Sequence, residues 1–201
     1  LAFGCNKDGQ CEVPPLPSPG LRYLSAAAGG RHTVLIRSDG VALAFGSSEH
    51  GQCEVPALPL EHGLRYVSAA VGTWHTVLIR SDGQALAFGR DAEGQCRLPP
   101  LPGDSESTKG SRLRYVAAAA GSFHTVLLRS DGAAVALGAK HESQCWVPRL
   151  PSPGLRYTAV AANLEHTVLL RSDGVALAFG QGEEDGRCRV PRLPSPELRY
   201  T

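Results

Sequence analysis

The 201-residue chain has no methionine, and aromatic residues make up only 6% of it, with two tryptophans, Trp74 and Trp146. It also lacks an excess of charge of either sign. The formal net charge is +1, and the longest block of like charge is Glu183-Glu184-Asp185. The electrostatic footprint expected of a nucleic-acid or anionic-membrane binder is therefore missing. No apolar run approaches the roughly 18–20 residues needed to span a bilayer. No window has the apolar spacing of an amphipathic helix, no glycine-rich loop suits a phosphate, and no cysteines pair at metal-binding spacing. No cofactor is expected. What remains, 42% apolar and 19% charged, is the composition of an ordinary globular chain.

What the chain does contain is repetition. His124-Thr-Val-Leu-Leu-Arg-Ser-Asp-Gly132 recurs almost unchanged at 32–40, 75–83 and 166–174. The repeated His stands at 32, 75, 124 and 166, giving spacings of 43, 49 and 42. A repeated Cys stands at 11, 53, 96, 145 and 188, giving 42, 43, 49 and 43. Periods of about 20–50 residues mark solenoids, propellers and arrays. One copy is lengthened within Gly103–Ser111, a polar segment that reads as a surface loop. Repeat units are expected at about 1–42, 43–85, 86–134 and 135–176, with a partial unit at 177–201, all in a single domain.

Within a unit the signals are those of β-structure. Runs such as Thr76-Val-Leu-Ile79 and Ala85-Leu-Ala-Phe88 are short, apolar on both faces and joined through Asp-Gly, a favoured hairpin turn. A strand apolar on both faces belongs in a sheet sandwiched between neighbours. A third run is made of tiny side chains, as in Ser25-Ala-Ala-Ala-Gly29 and Ala117-Ala-Ala-Ala-Gly121, which suits the tight axis where sheets converge. The prolines of Val13-Pro-Pro-Leu-Pro-Ser-Pro19 suit an outer edge strand or connection, because proline cannot donate to a central ladder. The expected fold is all-β: a β-propeller of four-stranded up-and-down blades.

The pattern Gly-x-x-His-Thr-Val-Leu-Leu-Arg-Ser-Asp-Gly, then Ala-Phe-Gly, then Gly-Gln-Cys, resembles the repeat of the regulator-of-chromosome-condensation (RCC1-like) family, in a short-period variant. The resemblance covers essentially the whole chain and implies RCC1-like blades, usually seven to a ring. There are five Cys segments here but only four His-Thr segments, so about four complete blades and a partial one are expected. They would form part of a seven-bladed ring or an open arc. The chain also starts in mid-pattern, at Leu1-Ala-Phe-Gly4, which suggests a segment of a longer polypeptide.

Two motifs imitate chemistry. His32 with Asp39, beside serine, could be taken for a catalytic triad, but the pair appears once per repeat, and a catalytic site needs single residues converging. Each His and Asp is better read as a device of the fold, and no enzymatic activity is expected. The repeated cysteines lie whole repeats apart and are read as small packing residues, while Cys5 falls outside the pattern and could be a free thiol. Unpaired thiols fit a reducing compartment. The nucleotide-exchange activity of the family's nuclear member depends on a wedge insertion and surface carboxylates that have no match here.

The informative positions are those that break the repeat. Before each His stand Arg31, Trp74, Phe123 and Glu165; after each strand-ending Gly come loops containing Lys7, His50, Arg90, His141 and Glu184. In an up-and-down blade both sets emerge on one face, opposite the near-identical Ser-Asp-Gly turns. Aromatic and Arg side chains are the usual anchors of protein interfaces. The expected role is a non-enzymatic scaffold presenting these nine residues to a protein partner. The alternatives are a structural accessory subunit of a large assembly, or the regulatory propeller of a larger signalling protein such as a nucleotide-exchange factor or ubiquitin ligase.

Overall fold

The computed structural model describes residues 1–59, 63–102, 113–182, 186–192 and 199–200. Among them are twelve strands in four three-stranded antiparallel sheets. The first blade is β1 (Tyr23–Ala28), β2 (His32–Arg37) and β3 (Ala42–Gly46). The second is β4 (Tyr66–Val71), β5 (His75–Arg80) and β6 (Ala85–Gly89). The third is β7 (Tyr115–Ala120), β8 (His124–Arg129) and β9 (Ala134–Gly138), and the fourth β10 (Tyr157–Asn163), β11 (His166–Arg171) and β12 (Ala176–Gly180). No helix among the described residues is long and apolar enough to cross a membrane.

These are β-propeller blades in an open arrangement. The small-residue strands contact one another in series, β1 with β4, β4 with β7 and β7 with β10, which places them along the inner edge of the arc. Among the described residues the expected fourth strand is absent. The described residues after each third strand form consecutive turns and then an irregular proline-rich linker. The prolines have no N–H to offer a ladder, and the linker is held by side chains instead. Tyr23, Tyr66, Tyr115 and Tyr157 each donate a phenolic O–H to a proline carbonyl of their own linker, at 2.7–2.8 Å. The lengthened segment at 103–111 lies outside the described residues.

The core lies between blades rather than within them, which explains why the middle strands are apolar on both faces. Val34 and Ile36 of the first blade pack with Tyr66 and Leu78 of the second. Val77 and Ile79 pack with Tyr115 and Leu127, and Val126 and Leu128 pack with Tyr157 and Leu169. Each fully buried Leu or Val contributes roughly 1.5–3 kcal/mol. The fourth blade has no successor among the described residues: Val168 and Leu170 are half-buried where Val126 and Leu128 are 0% and 3% exposed. Every inner strand also carries a β-bulge one residue after its tyrosine, which turns Leu24, Val67 and Val116 out to solvent.

Candidate functional site

The invariant face consists of the Arg-Ser-Asp-Gly turns. In each, the Arg side chain pairs with the Asp two residues on, as Arg37 Nη2 does with Asp39 Oδ2 at 2.6 Å and Arg171 with Asp173 at 2.5 Å. This pairing holds the Asp39, Asp131 and Asp173 carboxyls below the usual carboxylate range. The serine hydroxyl accepts a backbone N–H from the start of its own blade, Arg65 to Ser81 at 3.2 Å for example. The glycine sits at φ +85° in Gly40 and Gly83, where its missing side chain makes room for Arg65 and Arg114 of the next blade. All four Asp residues thus have a turn-building role.

The repeated histidines belong to the blade interfaces. His32 Nε2 lies 2.8 Å from Thr76 Oγ1, His75 Nε2 is 2.9 Å from Thr125 Oγ1, and His124 Nε2 is 2.9 Å from Thr167 Oγ1. Each Thr hydroxyl in turn donates to a Gln backbone carbonyl, from Gln52, Gln95 and Gln144, at 2.7–2.8 Å. A hydroxyl has one proton, so each Thr must accept from its His, and Nε2 carries the imidazole proton. Nδ1 is then unprotonated, and in His32, His75 and His124 it is buried with no hydrogen-bond partner. Burial pushes the pKa of all three down to about 4, with the neighbouring His124 and His32 adding to the effect at His75. His32 opens β2 and Asp39 lies beyond its other end, so the apparent triad is never assembled.

The cysteines are not the small buried residues expected. Their thiols donate to the carbonyl six or seven residues back: Cys53 to Ser47 at 3.2 Å, Cys96 to Arg90 at 3.3 Å, Cys145 to Ala139 at 3.0 Å and Cys188 to Gln181 at 3.4 Å. They close the loop after each third strand while remaining partly exposed. Burial raises the Cys96 and Cys145 thiols to about 12 and about 11. Among the described residues no group of three metal-ligating side chains comes together.

The variable loops do share one face. His32 pairs with Gly46 and His75 with Gly89, so the turn before each His and the loop after each third strand emerge at the same end. There the structure brings several of the candidate residues together. Arg31 lies between Asp8 at 3.6 Å and Glu49 at 3.8 Å, with its guanidinium 5.2 Å from the Trp74 ring centroid. His50 packs edge-on against the Trp74 ring at 5.3 Å. Arg90 stacks over Phe123 at 4.9 Å, and His141 approaches Glu93 at 3.8 Å. Lys7 is exposed and Glu165 half-buried. Glu184 lies outside the described residues. Because cluster partners come from adjacent blades, Arg31, Trp74, Arg90 and Phe123 also strap those blades together, which no single-blade sequence pattern could reveal.

Residues 25–52 match the regulator of chromosome condensation (RCC1) repeat. The chain therefore carries an RCC1 repeat at these residues. By sequence, no curated protein matches it. By structure, it resembles Prp20p from Saccharomyces cerevisiae, whose binding properties to Gsp1p and histones are described with its structure. The TM-score is 0.74 at 20% identity, covering 97% of this chain and 56% of that one. The same yeast RCC1 bound to Kap60 gives a TM-score of 0.73 at 19% identity, covering 97% of this chain and 54% of that one. Human WBSCR16 gives 0.66 at 17% identity, covering 83% and 51%. At these identities the likeness is one of fold, and this chain spans about half the length of the solved structures it matches.

Proposed function

We propose that this RCC1-type arc is a non-enzymatic protein-interaction module whose working surface is the variable loop face. The carrying observation is the cross-blade cluster of Arg31, Trp74 and His50, continued by Arg90 over Phe123. The framework beneath repeats almost identically, while the residues on this face differ in every blade. Half-buried aromatic rings held by Arg stacking are pre-organised, so little side-chain entropy is lost when a partner covers them. The yeast relative's binding to Kap60, Gsp1p and histones is consistent with such a role. The test is affinity capture with wild type and with W74A/F123A, after circular dichroism has shown that the double variant is folded. A specific partner should be lost from the variant; equal retention would overturn the assignment.

The fourth blade favours a second reading, as a subunit of a larger assembly. His166, Val168 and Leu170 present the forward half of an interface that is fully formed three times elsewhere in the arc. A neighbouring sheet that covers them should raise the melting temperature of the complex above that of the isolated chain.

A further inference from the structure

The four loops that lead into the Gln-Cys pairs at 10–11, 52–53, 95–96 and 144–145 serve as controls for one another, and one of them breaks their rules. In the first three, a side-chain oxygen accepts the cysteine N–H: Asn6 Oδ1 at 2.8 Å, Ser48 Oγ at 3.3 Å and Asp91 Oδ1 at 2.8 Å. In the loop after β9 this position is Lys140, which has no acceptor to give. In the first three, the turn residue is Gly9, Gly51 or Gly94, at φ between +77° and +79°. After β9 it is Ser143, held at φ +58°, the one non-glycine residue with positive φ among those described. The turn's hydrogen bonds persist nevertheless, Ser143 N to Lys140 O at 3.3 Å and Trp146 N to Ser143 O at 2.9 Å.

The residue after the cysteine changes in the same loop. Glu12, Glu54 and Arg97 give way to Trp146, which is 79% exposed. Lys140, Ser143, Cys145 and Trp146 line a cavity of about 400 Å³. Three residues on, Arg149 is exposed where Pro15, Ala57 and Pro100 stand in the other linkers. Among the described residues neither Lys140 nor Arg149 has an ion pair. The exposed carboxylates of the neighbourhood are Glu142, and Glu93 opposite His141. Local strain and a lost turn bond gathered around an exposed indole are marks of a site kept for function rather than stability.

We propose that this cavity on the outer rim of the third blade binds an acidic peptide segment of a partner protein. An apolar or aromatic side chain of the segment lies on the Trp146 indole, and a carboxylate meets Lys140 Nζ, with Arg149 adding to the positive field. Tryptophan beside an unpaired cation supplies both the apolar anchor and the charge complementarity of an interface hot spot. Cys145 takes no part beyond packing, since its thiol is committed to the Ala139 carbonyl. Although Lys140 follows Ala139, whose N–H donates to the Phe123 carbonyl, the proposal is tested at Trp146 and Lys140 rather than at Trp74 and Phe123, so its failure would leave the loop-face proposal standing.

The test is fluorescence anisotropy of the full chain with two labelled hexapeptides, Glu-Glu-Leu-Phe-Glu-Glu and its counterpart with lysine in place of glutamate. Wild type should bind the acidic peptide saturably, and W146A and K140E should each bind it at least about tenfold more weakly. The triple variant K140S/S143G/W146E rebuilds the loop with the second blade's own residues. It should lose the peptide and melt at a higher temperature than wild type. Absence of saturable binding to wild type, or equal affinity for the lysine peptide, would overturn the proposal. So would a triple variant that still binds or is no more stable.

Discussion

His75 and Thr125, fifty positions apart in sequence, meet through Nε2 and Oγ1 at 2.9 Å across the interface between the second and third blades. With the Thr125 proton committed to the Gln95 carbonyl at 2.8 Å, this one bond ties together the middle strands of two blades and the linker loop between them. It occurs three times in the arc, and the predictions begin from it.

Replacing Thr125 with valine keeps the shape but leaves the buried His75 N–H and Gln95 carbonyl unsatisfied. T125V is expected to lose about 1–3 kcal/mol of unfolding free energy. T33V should lose less, because the half-buried Thr33 holds only the Gln10 carbonyl, at 2.8 Å, with no preceding His. Urea titrations of the two variants side by side would check this; equal losses would show that the His–Thr bond adds nothing.

Stability should fall as the solution is acidified from about pH 6.5 towards pH 4. His32, His75 and His124 have folded-state pKa values of about 4 against 6.5 in an unfolded chain. Below 6.5 the unfolded chain takes up protons that the folded chain refuses, so acid favours unfolding. The stability these groups contribute is complete above 6.5 and lost once the pH has fallen through 4. Each contributes on the order of 3 kcal/mol at most. Denaturant midpoints at pH 7.5, 5.5 and 4.5 should decline in that order, and a flat profile would contradict the neutral-His interfaces.

Gly83 should tolerate substitution poorly and Asp82 better. G83A must adopt φ near +85° and collides with Arg114 of the next blade, at an expected cost of about 1–3 kcal/mol. D82A removes an ion pair at the surface, Arg80 being 20% and Asp82 25% exposed, and should cost about 1 kcal/mol or less. Thermal melts of the two variants rank them directly.

The open end of the arc makes the same substitution unequal in two blades. Leu128 is 3% exposed against the fourth blade, while Leu170, its counterpart, is half-buried. L128A should lose about 2–5 kcal/mol and L170A clearly less. Equal losses would mean that another surface covers the fourth blade in solution.

Cysteine alkylation at pH 8 should reach Cys5 first. Cys5 is exposed, whereas the Cys96 and Cys145 thiols are pushed up to about 12 and about 11 and bonded to carbonyls. Thiolate is the reactive form, so the order of labelling in a peptide-mapped time course reads the loop environments.

Much of this was legible from residue types alone. The four-fold repeat, the all-β blades, the common face of the variable loops and the structural role of the His and Asp residues all follow from spacing and patterning. Those are local properties, and local chemistry writes them into every repeat: Asp-Gly closes a hairpin, small side chains mark a tight inner strand, and apolar residues on both faces demand two neighbours. The tertiary structure decided what depends on residues a whole repeat apart. It showed each His bonded to the next blade's threonine, Arg31 held over Trp74, and Cys53 bonded to the Ser47 carbonyl rather than buried as a packing residue. It also replaced the expected fourth strand with a proline-rich linker held by tyrosines. It set Trp146 apart as well, by showing the indole exposed beside Ser143 held at positive φ. Repetition in sequence fixes what each blade is; contacts between blades fix which of its side chains are occupied and which are left to meet a partner.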